Sequence, residues 1–155
     1  MRITIVALGH RMPAWVTMGY DEYERRLPRE FPLELIELKP EPRSRGKSRT
    51  QVLAAEAVRI RAACAGCTVV ALDENGSTWT TLELAGHIGR WRDEGARVAF
   101  IIGSADGLAP SIKSTAFRTL ALSALTLPHG LVRVLLAEQV YRAASLLAGH
   151  PYHRA

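Results

Sequence analysis

The segment Arg2 to Leu8 reads as one apolar run closed by Gly9, the pattern of a strand buried on both faces. Pro13 suits the first turn of a helix, and Val16, Tyr20, Tyr23 and Leu27 then recur at spacings of four, three and four, one helical face that Pro28 ends. Leu33 to Leu38 is strand-like, but Glu34 and Glu37 mark it as an edge. A Pro- and Arg-rich loop without apolar residues, Lys39 to Ser48, leads to a second helical face at Leu53, Ala57, Ile60 and Cys64. Thr68 to Leu72 is β-branched and apolar, a predicted central strand, and Asp73 to Ser77 carries turn chemistry. Thr80 and Glu83 form a capping-box pair ahead of a helix through Leu84, Ile88 and Trp91, which Glu94-Gly95 closes. Val98 to Ile102 is a fully apolar strand, Gly103 to Gly107 a loop, Pro110 to Ala116 a short helix and Thr119 to Leu122 a short strand. The last helix, Leu131 to Ala148, has a polar stripe of Glu138, Arg142, Ser145 and Gly149 and is apolar almost everywhere else. A helix of that kind is buried on most sides, either within its own chain or in part against a second subunit.

Strand and helix alternate from end to end, so the predicted class is α/β, one domain over residues 1–155, with a mostly parallel sheet and helices on both faces. No linker or internal repeat divides the 155 residues. The N-terminus runs directly into the first strand without the features of a signal peptide, and no long apolar run spans a membrane, so a cytoplasmic protein is expected. The net charge of +5 and a pI near 9.7 point to a polyanionic partner, nucleic acid ahead of membrane. Cys64 and Cys67 lack the second pair or the histidines that a zinc site needs, and they close a helix rather than open one. They read as two ordinary thiols.

In open parallel sheets, ligands bind beyond the carboxyl ends of the strands. Three such ends stand out: Leu72 onward, Ile102-Gly103-Ser104-Ala105-Asp106-Gly107-Leu108, and Leu122 onward. The glycines of the second allow backbone to approach a ligand closely, although it lacks the third glycine of a dinucleotide fingerprint. Gly46-Lys47-Ser48 lies between a strand and a helix, as a P-loop would. Glu41 stands where that loop needs a glycine, which excludes nucleotide hydrolysis there. The same segment, with Arg43, Arg45, Lys47 and Arg49, is either a phosphate-contacting arm or a solvated loop. At the C-terminus, His150 and His153 are three apart, but Pro151 disfavours a helix and no carboxylate is local, so no metal is expected. Tyr152, His153 and Arg154 suit base stacking and phosphate contact, or form a plain terminal tail.

Taken together, Leu127-Pro128-His129, Arg133-Val134, Glu138-Gln139-Val140-Tyr141-Arg142-Ala143 and the Tyr152-His153 ending resemble the bacterial large-subunit ribosomal RNA methyltransferase H family, of the knotted SPOUT superfamily. Val6 to Gly9 and Tyr23 to Leu27 also resemble it, so the likeness covers the chain. The resemblance implies a C-terminal trefoil knot, a homodimer, and S-adenosylmethionine as methyl donor for N3 of a pseudouridine in 23S ribosomal RNA; a chain with so little surface for reading a sequence is expected to recognise a shaped site, the assembled ribosome rather than naked RNA. It implies a cofactor pocket built from Leu72, Gly103, Leu122, Ser123, Ala124, Leu125, Thr126 and Leu127. His129, Arg142 and Tyr152 are the expected catalytic residues, and Arg133, His153 and Arg154 the expected RNA contacts. His129 is the candidate to accept the N3 proton, or else a hydrogen-bonding support for the loop; Asp106 is the other acid–base candidate. Arg142 either polarises a base carbonyl or pairs with Glu138 one turn away. The family's loop has the form Gly-Gly-x-x-Gly-Leu, and here its second glycine is Ser104, a side chain able to crowd the cofactor or tilt the loop but small enough that binding is expected to survive. Two other functions remain open on residues alone: a tRNA methyltransferase of the same superfamily, and a non-catalytic ribosome-binding factor.

Overall fold

The computed structural model describes residues 1–44 and 46–154, and of His153 the backbone alone. Five strands form one wholly parallel sheet: β1 (Arg2–Leu8), β2 (Leu33–Leu38), β3 (Thr68–Thr78), β4 (Arg97–Ile102) and β5 (Arg118–Ala121), in spatial order β2-β1-β4-β3-β5. The Glu-bearing β2 is an edge, as its charges require. β3 lies inside the sheet, between β4 and β5.

Parallel sheets are stable only when both faces are covered, and two cores do so. One side carries α1 (Ala14–Glu24), α3 (Thr81–Asp93) and α5 (His129–Leu147), packed on Ile3, Ile5, Val70, Phe100 and Leu120. The other carries α2 (Arg49–Ala63) and α4 (Pro110–Thr115), packed on Val6, Leu8, Ala71, Ala99 and Ile101. Successive residues of β1 and β4 therefore serve opposite cores, which is why these strands are apolar at nearly every position past their first residue, Thr4 apart, rather than at every second one. Each fully buried Ile or Phe contributes about 1.5–3 kcal/mol. α2 and α3 begin in complete capping boxes, Ser48 with Gln51 and Thr80 with Glu83, each worth about 1 kcal/mol.

Two expectations change. Asp73 to Ser77 does not end its strand: β3 continues to Thr78 through an irregularity, so that Leu120 pairs with both Leu72 and Ser77. The turn chemistry is real but local, with the Asn75 N–H donating to Asp73 Oδ1 at 2.8 Å; a bulge uses the same residues as a turn. α5 starts at His129 rather than Leu131. Its polar stripe is covered apart from Gly149. Ser145 is buried and donates to the Tyr141 carbonyl at 2.9 Å, while Glu138 and Arg142 are covered by the closing 3-10 turn, Pro151–Arg154. No described helix is long and apolar enough to cross a membrane.

The bulge depends on a close approach. A Cβ at Gly76 would lie 2.8 Å from backbone atoms of Leu120 and Thr119, nearer than any side chain tolerates. Gly76→Ala must therefore push β5 away from β3. A loss of about 1–3 kcal/mol is expected in urea unfolding, and an unchanged midpoint would show that the bulge tolerates a methyl group.

Candidate active site

The carboxyl ends of β1, β3, β4 and β5 open on a single cavity of about 670 Å³, within the size range of small-molecule sites. Leu72, Gly103, Leu122, Ser123, Leu125, Thr126, Leu127 and His129 all line it. Ala124, expected among them, is exposed and does not. The segment after β5 is held by its own side chains: Ser123 Oγ accepts from the Leu125 N–H at 2.9 Å, and Thr126 donates to Glu74 at 3.0 Å. Leu8, Met12, Pro40, Arg43 and Arg49 complete the wall.

Gly103 is where the chain leaves β4. A Cβ on it would stand 2.5 Å from the Gly107 carbonyl oxygen, so only glycine lets the loop fold back on itself through the Ser104–Gly107 bridge. The rim carries Asp73, Glu74, Asp106 and Lys113. Burial alone raises the Asp73 carboxyl, but the Asn75 N–H and the Lys113 ammonium, 2.9 Å away, outweigh it and hold the group below the usual carboxylate range. The cavity thus has leucine walls, a backbone-lined floor and an ionised carboxylate at its edge.

The residues expected to act on RNA separate into two groups. Arg133 is corrected outright. It is 1% exposed, and its guanidinium is consumed inside the protein: Nη1 donates to Glu37 at 2.6 Å, Nη2 to the Gly9 carbonyl at 2.9 Å, and Nε to His129 Nε2 at 3.1 Å. A group so enclosed cannot reach a phosphate. Arg154, by contrast, is exposed, and the His153 side chain lies outside the described residues.

The same arginine decides the state of His129. Arginine only donates, so Nε2 must accept, and Nδ1 must carry the proton that bonds the Gly103 carbonyl at 3.0 Å. Both ring nitrogens are satisfied, leaving no lone pair for a substrate proton. Burial first, and then the Arg133 charge, lower the His129 pKa. The ring is a neutral strut between α5 and the loop after β4, which is the supporting role rather than that of a proton acceptor.

Arg142 and Tyr152 stand elsewhere. From His129 to Arg142 is about 20 Å along the helix axis at roughly 1.5 Å per residue. Arg142 makes the one-turn pair with Glu138, Nη2 to Oε1 at 2.6 Å, and lies 4.8 Å from the centre of the Tyr152 ring. Tyr152 donates to the same carboxylate at 3.1 Å and packs on Tyr141, ring centres 4.6 Å apart. Burial, then the hydrogen bond to Glu138, pushes the Tyr152 phenol up to about 12, so it remains protonated at neutral pH. The basic arm is also spent internally: Arg43 pairs with Asp106 at 2.7 Å, Arg49 donates to the Asp106 carbonyl at 2.8 Å, and Lys47 pairs with Glu41 at 2.5 Å. Asp106 thus ties the arm to the loop after β4, and Arg45 lies outside the described residues. Cys64 is buried, with its thiol pushed up to about 11, consistent with an unreactive cysteine. No group of three potential metal ligands occurs among the described residues.

Glu37 and Glu56 were missed in the sequence. Glu37 belongs to a strand whose charges read as an exposed edge. Glu56 had a signal: it falls on the apolar face of α2 beside Val52, Leu53, Ala57 and Ile60, where an unpaired carboxylate is not tolerated.

In NMR titration His129 should show a pKa below 6.5. Because the folded-state value is depressed, its contribution to stability is full above about 6.5 and declines as pH falls toward the folded value. Arg133→Leu should raise the His129 pKa, by removing both the cation and the bond to Nε2. It should also cost about 2 kcal/mol in urea unfolding, less than for a sealed ion pair because solvent reaches Glu37. An unmoved His129 resonance in that variant would refute the strut.

Comparison with known proteins agrees with this architecture. The family described as "Predicted SPOUT methyltransferase" matches residues 1–153. A Nitrosospira multiformis protein named ribosomal RNA large subunit methyltransferase H is 56% identical over the full length of both chains, and a Burkholderia mallei protein of the same name is 55% identical, again over both full lengths. Among solved structures, a probable methylase family protein from Haemophilus influenzae superposes with a TM-score of 0.59 at 14% identity, over 97% of this chain and 69% of that one. A probable methyltransferase from Bordetella pertussis gives 0.57 at 17% identity, over 92% and 95%. These last two speak for the fold alone, but the full-length match and the identity above one half settle descent: the chain belongs to the SPOUT methyltransferase family, in the group of the ribosomal RNA large subunit methyltransferases H.

Proposed function

We propose that this protein methylates N3 of a pseudouridine in large-subunit (23S) ribosomal RNA, with S-adenosylmethionine as donor, as a homodimer acting on the assembled ribosome. The observation that carries the reading is the cavity at the strand ends, whose size and lining fit such a donor. Leu72, Leu122 and Leu127 offer apolar faces to an adenine ring, and the backbone around Gly103 and after β5 offers hydrogen-bonding groups to its edges. Asp73, kept ionised, attracts a positively charged ligand. The relatives' name supplies the substrate class.

When bound, the donor supplies a methyl group on a sulfonium, and the chain's part is placement. Holding two reactants in line at roughly 3 Å accounts for much of a barrier reduction of this kind. The His129 strut keeps the Gly103 carbonyl fixed, so the cavity wall does not shift as the base enters. The methyl group replaces the N3 proton, which leaves to solvent, one H⁺ per turnover.

Arg142 and Tyr152 are too far along α5 to face their own chain's cavity, so their catalytic role needs a second copy. One feature supports that arrangement: Trp15 and Met18, on the helix that packs beside α5, are 55% and 70% exposed. An interface there covers apolar side chains that a lone chain leaves in water. The trefoil knot belongs to the same reading, with residues 118 to 154 as the threaded part. A chain this small has little surface for reading a sequence, which favours a shaped ribosomal site.

Labelled methyl offered to whole ribosomes, isolated subunits and extracted tRNA, with the product mapped by mass spectrometry, tests the activity. One labelled large-subunit pseudouridine, strongest on whole ribosomes, is expected. Label on tRNA overturns the substrate, and ribosome binding without donor binding overturns the enzyme. The dimer is tested by mixing Gly103→Ala with Tyr152→Ala. If sites are shared, each mixed dimer holds one intact site and the mixture recovers about a quarter of wild-type activity. No recovery, in protein that elutes as a dimer, places Tyr152 with its own chain's cavity.

A further inference from the structure

Glu56 is a carboxylate in the wrong place for solvent: 2% exposed, on the inward face of α2, among Val52, Leu53, Ala57 and Ile60. Both of its oxygens are used. Oε1 accepts from the Ser104 hydroxyl at 2.8 Å, and Oε2 accepts from the Glu41 backbone N–H at 3.1 Å. Ser104 belongs to the loop that follows β4 and Glu41 to the arm that follows β2, and both segments line the cavity. We infer that Glu56 is a positioning residue that, through Ser104, straps these two cavity walls to α2 and sets the loop that receives the methyl donor. The inference rests on the cavity being the donor site.

Magnitudes single out this contact among those joining the two segments. Arg43 also bridges them through Asp106, but those side chains are 49% and 29% exposed, and surface pairs hold little against water. A hydrogen bond to a buried carboxylate is stronger, and breaking it strands an acceptor with no solvent to replace the donor. The strap also explains how a side chain fits where the related loops have glycine. Its hydroxyl turns onto Glu56, so Ser104 neither crowds the cavity nor swings the loop. The backbone of Gly103 remains available to the ligand, with its carbonyl held from the other side by His129.

The test uses the full-length protein and four variants: Ser104→Ala, Ser104→Thr, Glu56→Gln and Glu56→Ala. Each is titrated with S-adenosylmethionine by calorimetry, and hydrogen exchange is followed without the donor. Ser104→Ala should bind the donor about tenfold more weakly, equivalent to about 1.4 kcal/mol. Amides of residues 103–108 should exchange faster in it, and the loss in turnover should fall on KM for the donor rather than on kcat. Ser104→Thr keeps the hydroxyl and should restore both readouts. Glu56→Gln should stay within about threefold of wild type, because its amide oxygen still serves the Glu41 N–H and its NH2 can donate to a turned Ser104 hydroxyl. Glu56→Ala should free both segments; should it fail to fold, the two Ser104 variants decide alone. Wild-type affinity and exchange in Ser104→Ala, or a Ser104→Thr no better than alanine, overturns the strap. A wild-type protein that does not bind the donor overturns the cavity assignment instead, and exchange in the donor-free variants still decides the strap.

Discussion

A guanidinium taken out of water must have its donors satisfied, and Arg133 meets that demand in a way that organises the rest of the molecule. Its partners lie on separate elements: the Gly9 carbonyl after β1, the Glu37 carboxylate on β2, and the His129 ring at the start of α5. Transfer of an unpaired cation to such a site costs far more than a domain's net stability, so these elements stay together or the protein unfolds. The constraint reaches further through His129, because an arginine on Nε2 forces the proton to Nδ1, and that proton secures the loop after β4. A buried charge behind the cavity wall thus helps to hold the cavity's shape.

The same economy governs the other cations. A net charge of +5 suggests a surface free to bind RNA, yet Arg43, Lys47, Arg49 and Arg59 are each held by an acid or a carbonyl of the chain itself, Arg59 by Glu41. Of these, Arg43 and Arg49 line the cavity wall. Arg142 is likewise engaged, stacked on Tyr152 and paired with Glu138, in a cluster that Gln139 and Thr81 extend into α3. A charge held by its own chain in this way stabilises the fold and is not available to bind a partner.

Much of the architecture was legible without coordinates. Apolar runs at Arg2–Leu8 and Val98–Ile102 announced strands covered on both sides, and the glutamates of β2 announced an edge. The rule that ligands sit beyond strand ends located the cavity, because in a parallel sheet all the carboxyl ends lie on one side. What was misread had a common cause. Asp73 to Ser77 has the composition of a turn and forms a bulge, since local chemistry does not reveal whether a neighbouring strand is there to continue the pairing. Ser145 belongs to a polar stripe in sequence, and in the fold it is buried with its hydroxyl on the Tyr141 carbonyl.

The sequence by itself determined the class, the order of the elements, the faces they bury and the family, because these follow from periodicity and from local residue chemistry, which are written along the chain. Only the tertiary structure decided what the polar residues do. Arg133 reads as an RNA contact and is a buried tie; His129 reads equally as a base or a support and is a strut; Ser104 reads as a tolerated departure, and its hydroxyl is bonded to Glu56. A hydrophobic residue has one preference, burial, and its pattern reveals where. A charged or hydrogen-bonding residue is defined by its partner, and the partners here stand as far as 124 positions away in the chain.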